Sequence, residues 1–194
     1  MTFSVRSYLE FARYSVQEPR DAARQVLSAS IPVSARWMGL VLAATVSAIT
    51  VHFYMGLYPV SPVMGEEAVQ ISPFATFTLD LVFNLIVVFL ITVIGRWRGG
   101  TGRQEDALLL VVWLQMILIV PQVLQILAVI LIPPLASIIG MASVGLYFWL
   151  ISHFTAELHG FKSVARVFFG ILVTMIAVTF IIAFLMLPIV GQGV

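Results

Sequence analysis

Long apolar runs separated by short polar clusters dominate the chain. Residues 37–65 carry no charged side chain, and neither do residues 107–156 or 167–194. An uncharged apolar run of about 18 residues or more reads as a membrane-spanning helix. The stretch 107–156 would reach about 75 Å as one helix, at about 1.5 Å per residue. The hydrocarbon core of a bilayer is only about 30 Å thick. The stretch therefore predicts two helices, broken at Pro133-Pro134. Neither proline can donate a backbone hydrogen bond, and each disfavours helix in the residue before it. The pattern predicts an all-α polytopic membrane protein with five spans, at about 36–57, 74–95, 107–131, 135–156 and 166–187, the last stopped by Pro188. Trp37 and Tyr58 fall where interface aromatics belong.

The first 34 residues follow a different period and form a cytoplasmic helical lead to a membrane domain over 35–194. Within residues 3–16, Arg6, Glu10 and Arg13, continued by Gln17, make one polar stripe. Phe3, Val5, Tyr8, Leu9, Ala12 and Val16 lie away from it. A second helix over about 19–29 starts on Pro19, tolerated in a first turn, and ends before Ile31-Pro32. It sets Ala22, Ala23, Val26 and Leu27 opposite Arg20, Arg24 and Ser28. Two placements fit such short amphipathic helices: flat on the membrane surface, or folded as a hairpin against the loops below the bundle.

Composition agrees with the pattern. The chain is 61% hydrophobic and 10% charged, against about 45–50% and about 25% in soluble domains. A net charge of +1 creates no field that would favour nucleic acid. With no cysteine, disulfides, thiolate catalysis and Cys-ligated metal centres are excluded. The opening MTFSVRSYLEFARYSVQEPR lacks the apolar core of a cleavable signal, so the first span is expected to direct insertion.

Charge placement predicts orientation. Arg6, Arg13, Arg20, Arg24 and Arg36 precede the first span; Arg96, Arg98 and Arg103 lie between the second and third; Lys162 and Arg166 lie between the fourth and fifth. Five spans place all ten basic residues on one side. The loop over 59–73 holds only Glu66 and Glu67. The positive-inside rule then predicts a cytoplasmic N-terminus and an external C-terminus.

Inside the spans, Asp80 is the one formally charged residue at depth. A carboxylate there costs about 2.5–3.5 kcal/mol on insertion scales and marks a functional-site candidate. Counting helical rise places His52, Asp80 and Gln122 at one level, with Asn84 and Gln115 at another nearer the midplane. Asp80 and His52 could form a protonatable pair for ion or proton movement. The alternative is a set of interhelical hydrogen bonds that fixes packing, and a single acid among amides favours it. Gly39, Ala43 and Ser47, and likewise Ala136 and Gly140, repeat every fourth residue and allow close helix approach. Pro121 predicts a kink in the third span.

His153, Glu157 and His159 cluster at the cytoplasmic end of the fourth span. The first two are one turn apart and could share a metal, but no HExxH pattern is present; an interface ion pair is the favoured reading, and no metal or cofactor is expected. The loop RWRGGTGRQED lacks the phosphate-loop pattern. Its Arg96, Arg98 and Arg103 are expected to meet anionic lipid headgroups, at about 1 kcal/mol each. Glu105 and Asp106 suit the positive N-terminus of the third span.

These segments together resemble the Ypt-interacting protein (Yip) family in its bacterial branch. The resemblance rests on QEPRDAARQVL in the lead, GGTGRQEDALLLVVWLQ entering span three, PPLASIIG at the double-proline turn, WLISHFTAELHGF closing span four and SVARVFFGILV opening span five. A ratio of nine Arg to one Lys points to a GC-rich bacterial genome. The resemblance implies the five-span fold. In eukaryotic members it implies contacts with Rab-type GTPases and with one another, in vesicle traffic and membrane shaping. This chain lacks the Asp-Leu-Tyr-Gly-Pro segment that many of them carry before the first span, so no Rab-type partner is expected. The expected role is non-enzymatic, in a bacterial inner membrane, through lipids, oligomers or membrane-protein partners. A small ion or proton channel using Asp80, and an accessory subunit of a larger complex, are the alternatives.

Overall fold

The computed structural model describes residues 4–57 and 71–190, with α7 side chains described at 164–181, 183 and 184. Seven helices lie among them: α1 (Val5–Gln17), α2 (Pro19–Ser28), α3 (Val33–Leu57), α4 (Pro73–Trp97), α5 (Gln104–Leu131), α6 (Pro133–His159) and α7 (Val164–Val190). No strand occurs among the described residues, and α3 to α7 are long and apolar enough to cross a membrane. Tyr58, Glu66, Glu67 and the GQGV tail lie outside the described residues.

Local chemistry sets the helix ends. Ser4 and Ser72 are extended and accept hydrogen bonds from the N–H groups of Ser7 and Ala75, capping α1 and α4. Pro19, Pro73 and Pro133 occupy first turns, where a missing N–H is harmless. Only Ile132 separates α5 from α6, and its N–H still reaches the Ala128 carbonyl at 2.7 Å. α6 ends on Gly160 at φ 70°, with the Phe161 N–H bonded to the Ala156 carbonyl at 2.8 Å, a left-handed cap that suits glycine. α5 continues through Pro121, and α7 runs past the expected stop to Val190.

The bundle is organised around α5. Half of its apolar window is buried, against 6% for α7. Leu110, Leu114 and Ile117 of α5 meet Leu40 of α3, Val88 of α4, and Leu150 and Phe154 of α6 in one core. Such packing, not the hydrophobic effect, holds helices together in lipid. α7 packs on α6 and leaves Phe169, Val173, Ile176 and Phe180 exposed, as lipid-facing positions would be. The small-residue positions work inside the protomer. Gly39 lies against Val112 so closely that a Cβ would stand 2.9 Å from its Cγ1. Ala43 and Ala136 are buried, and Gly140 faces Gln125.

The lead is a hairpin, and it packs chiefly on the sides of α5 and α6, with one bond to the α6–α7 loop. The Trp113 indole N–H of α5 donates to the Ser15 hydroxyl at 3.0 Å, and the Trp149 indole of α6 donates to the Val16 carbonyl at 3.3 Å. Phe11 packs on Trp113 with ring centroids 5.0 Å apart. The Tyr8 hydroxyl donates to the Met116 carbonyl, and burial pushes this phenol up from its ordinary pKa. Met116 lies about 18 Å along α5 from Gln104, at about 1.5 Å per residue. α1 therefore climbs the side of the bundle. Arg6 and Glu10 on its outer stripe form an exposed 2.8 Å pair. Val5 and Leu9, which the pattern set with the apolar face, are exposed beside them.

α2 completes the hairpin by burying Ala22 and Ala23 entirely. Overpacking such a contact costs about 1–3 kcal/mol. Ala22→Leu is expected to detach the hairpin without unfolding the bundle. Hydrogen exchange should then rise across residues 5–28 and stay unchanged in α5; unaltered exchange in the hairpin would contradict this packing.

Candidate functional site

Most of the charged chemistry gathers at the arginine-rich end of the bundle. Glu157, at the end of α6, bridges the two arginines of α2: Arg20 Nε donates to Oε2 at 3.2 Å and Arg24 Nε to Oε1 at 3.0 Å. Arg20 also donates to the Phe161 carbonyl at 2.6 Å. The glutamate side chain is 17% exposed and Arg20 is half-buried, so that bond is the better shielded of the two, whereas Arg24 is exposed and its bond is screened by water. Glu157 holds the Arg24 guanidinium above its ordinary pKa. An open groove of about 500 Å³ lies beside this clamp, floored by Trp149 and His153.

A second clamp joins α3 to α5. Arg36 donates to the Glu105 carbonyl at 2.7 Å and to the Asp106 carboxylate at 2.9 Å, with its side chain only 11% exposed. Charge placement accounts for Arg36 and Asp106 separately; their contact depends on the α3–α5 register and is not legible in sequence.

His159 is the most deeply built-in polar group here. Its side chain is 3% exposed. The Gly102 N–H donates to Nδ1 at 3.1 Å, so Nδ1 carries no proton. Nε2 therefore bears the hydrogen and donates to the Ile91 carbonyl at 3.1 Å. A Cβ on Gly95, Gly100 or Gly102 would overlap the imidazole ring. Gly99 adopts φ 88°, a left-handed turn conformation. The glycines of the α4–α5 turn thus clear space for one histidine. Arg96 secures the same turn by donating to the Gly102 carbonyl at 2.9 Å.

His153, Glu157 and His159 consequently do not converge. His153 bonds the Trp149 carbonyl at 2.8 Å and packs on its indole, Glu157 turns to α2, and His159 turns into the glycine turn. Arg98 is exposed, and Arg103 pairs with Glu105 at 2.9 Å.

The intramembrane polar residues divide as well. Asn84 is 1% exposed, accepts a hydrogen bond from Gln115 and donates to the Asp80 carbonyl at 2.9 Å. α4 and α5 are thereby joined by an amide pair. His52 pairs with Thr76 at 2.9 Å, one turn from Asp80 on α4, not with Asp80 itself. Among the described residues, Asp80 Oδ2 and Gln122 Oε1 are buried without a hydrogen-bond partner. The expected shared level of His52, Asp80 and Gln122 thus does not become a bonded cluster: helical rise fixes depth, whereas helix rotation decides which groups touch.

The family model for the Yip1 domain matches residues 13–186. The chain belongs to the Yip family. No curated protein and no solved structure matches it. The matched Yip1 domain starts inside α1 and ends inside α7, so it takes in the hairpin's α2, both clamps and the glycine turn. Within the domain, the segments GGTGRQEDAL and WLISHFTAELHGF meet: the first supplies the turn and the Arg36 acceptors, the second supplies His159 and Glu157.

Gly95 gives a test with a change of sign. Glycine inside a helix is normally about 1 kcal/mol worse than alanine. Against the His159 ring, Gly95→Ala is instead expected to destabilise by about 1–3 kcal/mol. In a His159→Ala background the same substitution should become neutral or stabilising. Apparent melting temperatures of the four variants in detergent provide the double-mutant cycle; additivity would disprove the ring contact.

Proposed function

We propose that this Yip-family protein is a non-enzymatic multi-pass protein of a bacterial inner membrane, acting through lipids and other membrane proteins. The carrying observation is how the arginine-rich end uses its polar groups. Glu157, Asp106 and His159 are each committed to holding helices together. What faces outward is an arginine-bearing surface, including Arg13, Arg98 and Arg166. The charge partition supports a cytoplasmic placement for that end, with the α1–α2 hairpin as its contact module. A homo-oligomer, or a larger complex in which the chain is an accessory subunit, is the form such contact takes. No Rab-type GTPase, nucleic acid, cofactor or metal enters this reading.

Photo-crosslinkers at Leu9 and Arg13, on the exposed side of α1, should give discrete protein adducts in native membranes. Ala22→Leu, which detaches the hairpin, should remove them. A strictly monomeric chain that yields lipid adducts alone would overturn the protein-contact half of the reading.

One observation favours a second reading, a small ion or proton channel: the partnerless, buried Asp80 Oδ2 between α4 and its neighbours. That reading requires proton or cation flux in proteoliposomes that changes in Asp80→Asn. The reading preferred here expects wild type, Asp80→Asn and empty vesicles to leak equally.

A further inference from the structure

A cleft of about 440 Å³ opens between α3, α4 and α5 at the arginine-rich end. Its inner wall is apolar, with Leu85 and Val88 from α4 and Leu108 from α5, and Trp37 of α3 closes one side. Its mouth carries Arg96 and Arg103. From Leu85 to Arg96 the helix rises about 16 Å. One leaflet of hydrocarbon is about 15 Å deep, half of the usual core. The cleft thus has the length of one acyl chain and ends where a headgroup would lie.

The charges at the mouth suit a phosphate. The Arg96 guanidinium is fixed by its Nε bond to the Gly102 carbonyl, and no acceptor for its terminal nitrogens occurs among the described residues. Arg103 pairs with Glu105, but both side chains are well exposed, at 68% and 47%. Such an exposed pair is weak and exchangeable. Two guanidinium groups against one carboxylate leave the mouth positive.

We propose that this cleft binds an anionic phospholipid, one acyl chain lying against Val33, Trp37 and Leu85 above the buried floor of Val88 and Leu108, and the phosphate meeting Arg96 and Arg103. This deepens the lipid-engaging half of the function proposed above and rests on it. The occupant is a lipid, not a free phosphate, because most of the cleft wall is apolar and would gain nothing from a soluble anion. It is not a protein helix, because a helix is about 10 Å across with its side chains, and a length of it to match the lipid would exceed the cleft's volume of about 440 Å³.

Native mass spectrometry of the whole chain, released from vesicles of equal phosphatidylglycerol and phosphatidylethanolamine, tests this. Wild type should retain phosphatidylglycerol in preference. Arg103→Gln alone should lower that retention about fivefold, one arginine's contribution. Arg96→Gln with Arg103→Gln should lower it more than about tenfold. Arg98→Gln, which removes the same charge outside the cleft, should change it less than about twofold. Leu85→Trp should reduce retention of both lipids by filling the wall. Excess inorganic phosphate should displace none. The Arg103 substitution sits on an exposed side chain, so it keeps the test sound if Arg96→Gln loosens the turn. Equal losses from Arg98→Gln and Arg103→Gln, undiminished retention in Leu85→Trp, or displacement by phosphate would each overturn the proposal. Failure of the protein-contact reading would appear separately, as missing crosslinks from α1 with lipid retention intact.

Discussion

Hydrocarbon offers no hydrogen-bond partner to a peptide group, and this one constraint shapes the chain. It makes every apolar run helical and leaves irregular backbone at the ends. It also explains how the break between α5 and α6 is built without a loop. At Ile132 the chain turns from α5 into α6 within a single residue, and the local N–H still finds the Ala128 carbonyl. Prolines at the start of α4 and α6 follow the same logic, because a first turn has no bond for them to remove. Once backbones are satisfied internally, helix association depends on packing, and α5 supplies it by presenting a nearly unbroken apolar surface to α3, α4 and α6.

At the arginine-rich end it is burial within the protein that obliges polar side chains to find partners. Three junctions are made there by three kinds of bond. Arg36 ties α3 to the start of α5 through one carbonyl and one carboxylate. Glu157 ties α6 to α2 through two guanidinium groups. His159 ties α6 to the α4–α5 turn through one acceptor and one donor nitrogen. The ring can approach two backbones at once only because three glycines carry no Cβ. The turn is glycine-rich for steric reasons, and a phosphate-binding role is unnecessary to explain it.

Helix number, helix type and approximate limits were legible because they depend on local period and composition. The five long helices follow the uncharged runs, and the double proline marks the α5–α6 break. The pairing of Asn84 with Gln115 was also within reach, since helical rise sets both near one depth. Rotation was not. His52 finds Thr76 and not Asp80, and His153 turns away from His159, because the facing side of each helix is chosen by its neighbours. The lead shows the same limit. Its amphipathic period fits both a lipid surface and a protein surface; the choice is made by Trp113 and Trp149, more than ninety residues away, whose indole N–H groups need acceptors that Ser15 and Val16 provide.

The remaining imbalance lies in groups with no bond assigned. Among the described residues, Asp80 Oδ2, Gln122 Oε1 and the hydroxyls of Ser152 and Thr155 are buried and unpartnered. The hydroxyls differ from the other two in kind. They sit on the buried part of α6, and the cost of an unmade hydroxyl bond is modest, about 1–3 kcal/mol. Among the described residues the Asp80 carboxyl makes no bond to the neighbouring amide pair, which uses only its backbone carbonyl. Fold stability therefore accounts for the clamps, the glycine turn and the amide pair, and it does not account for Asp80.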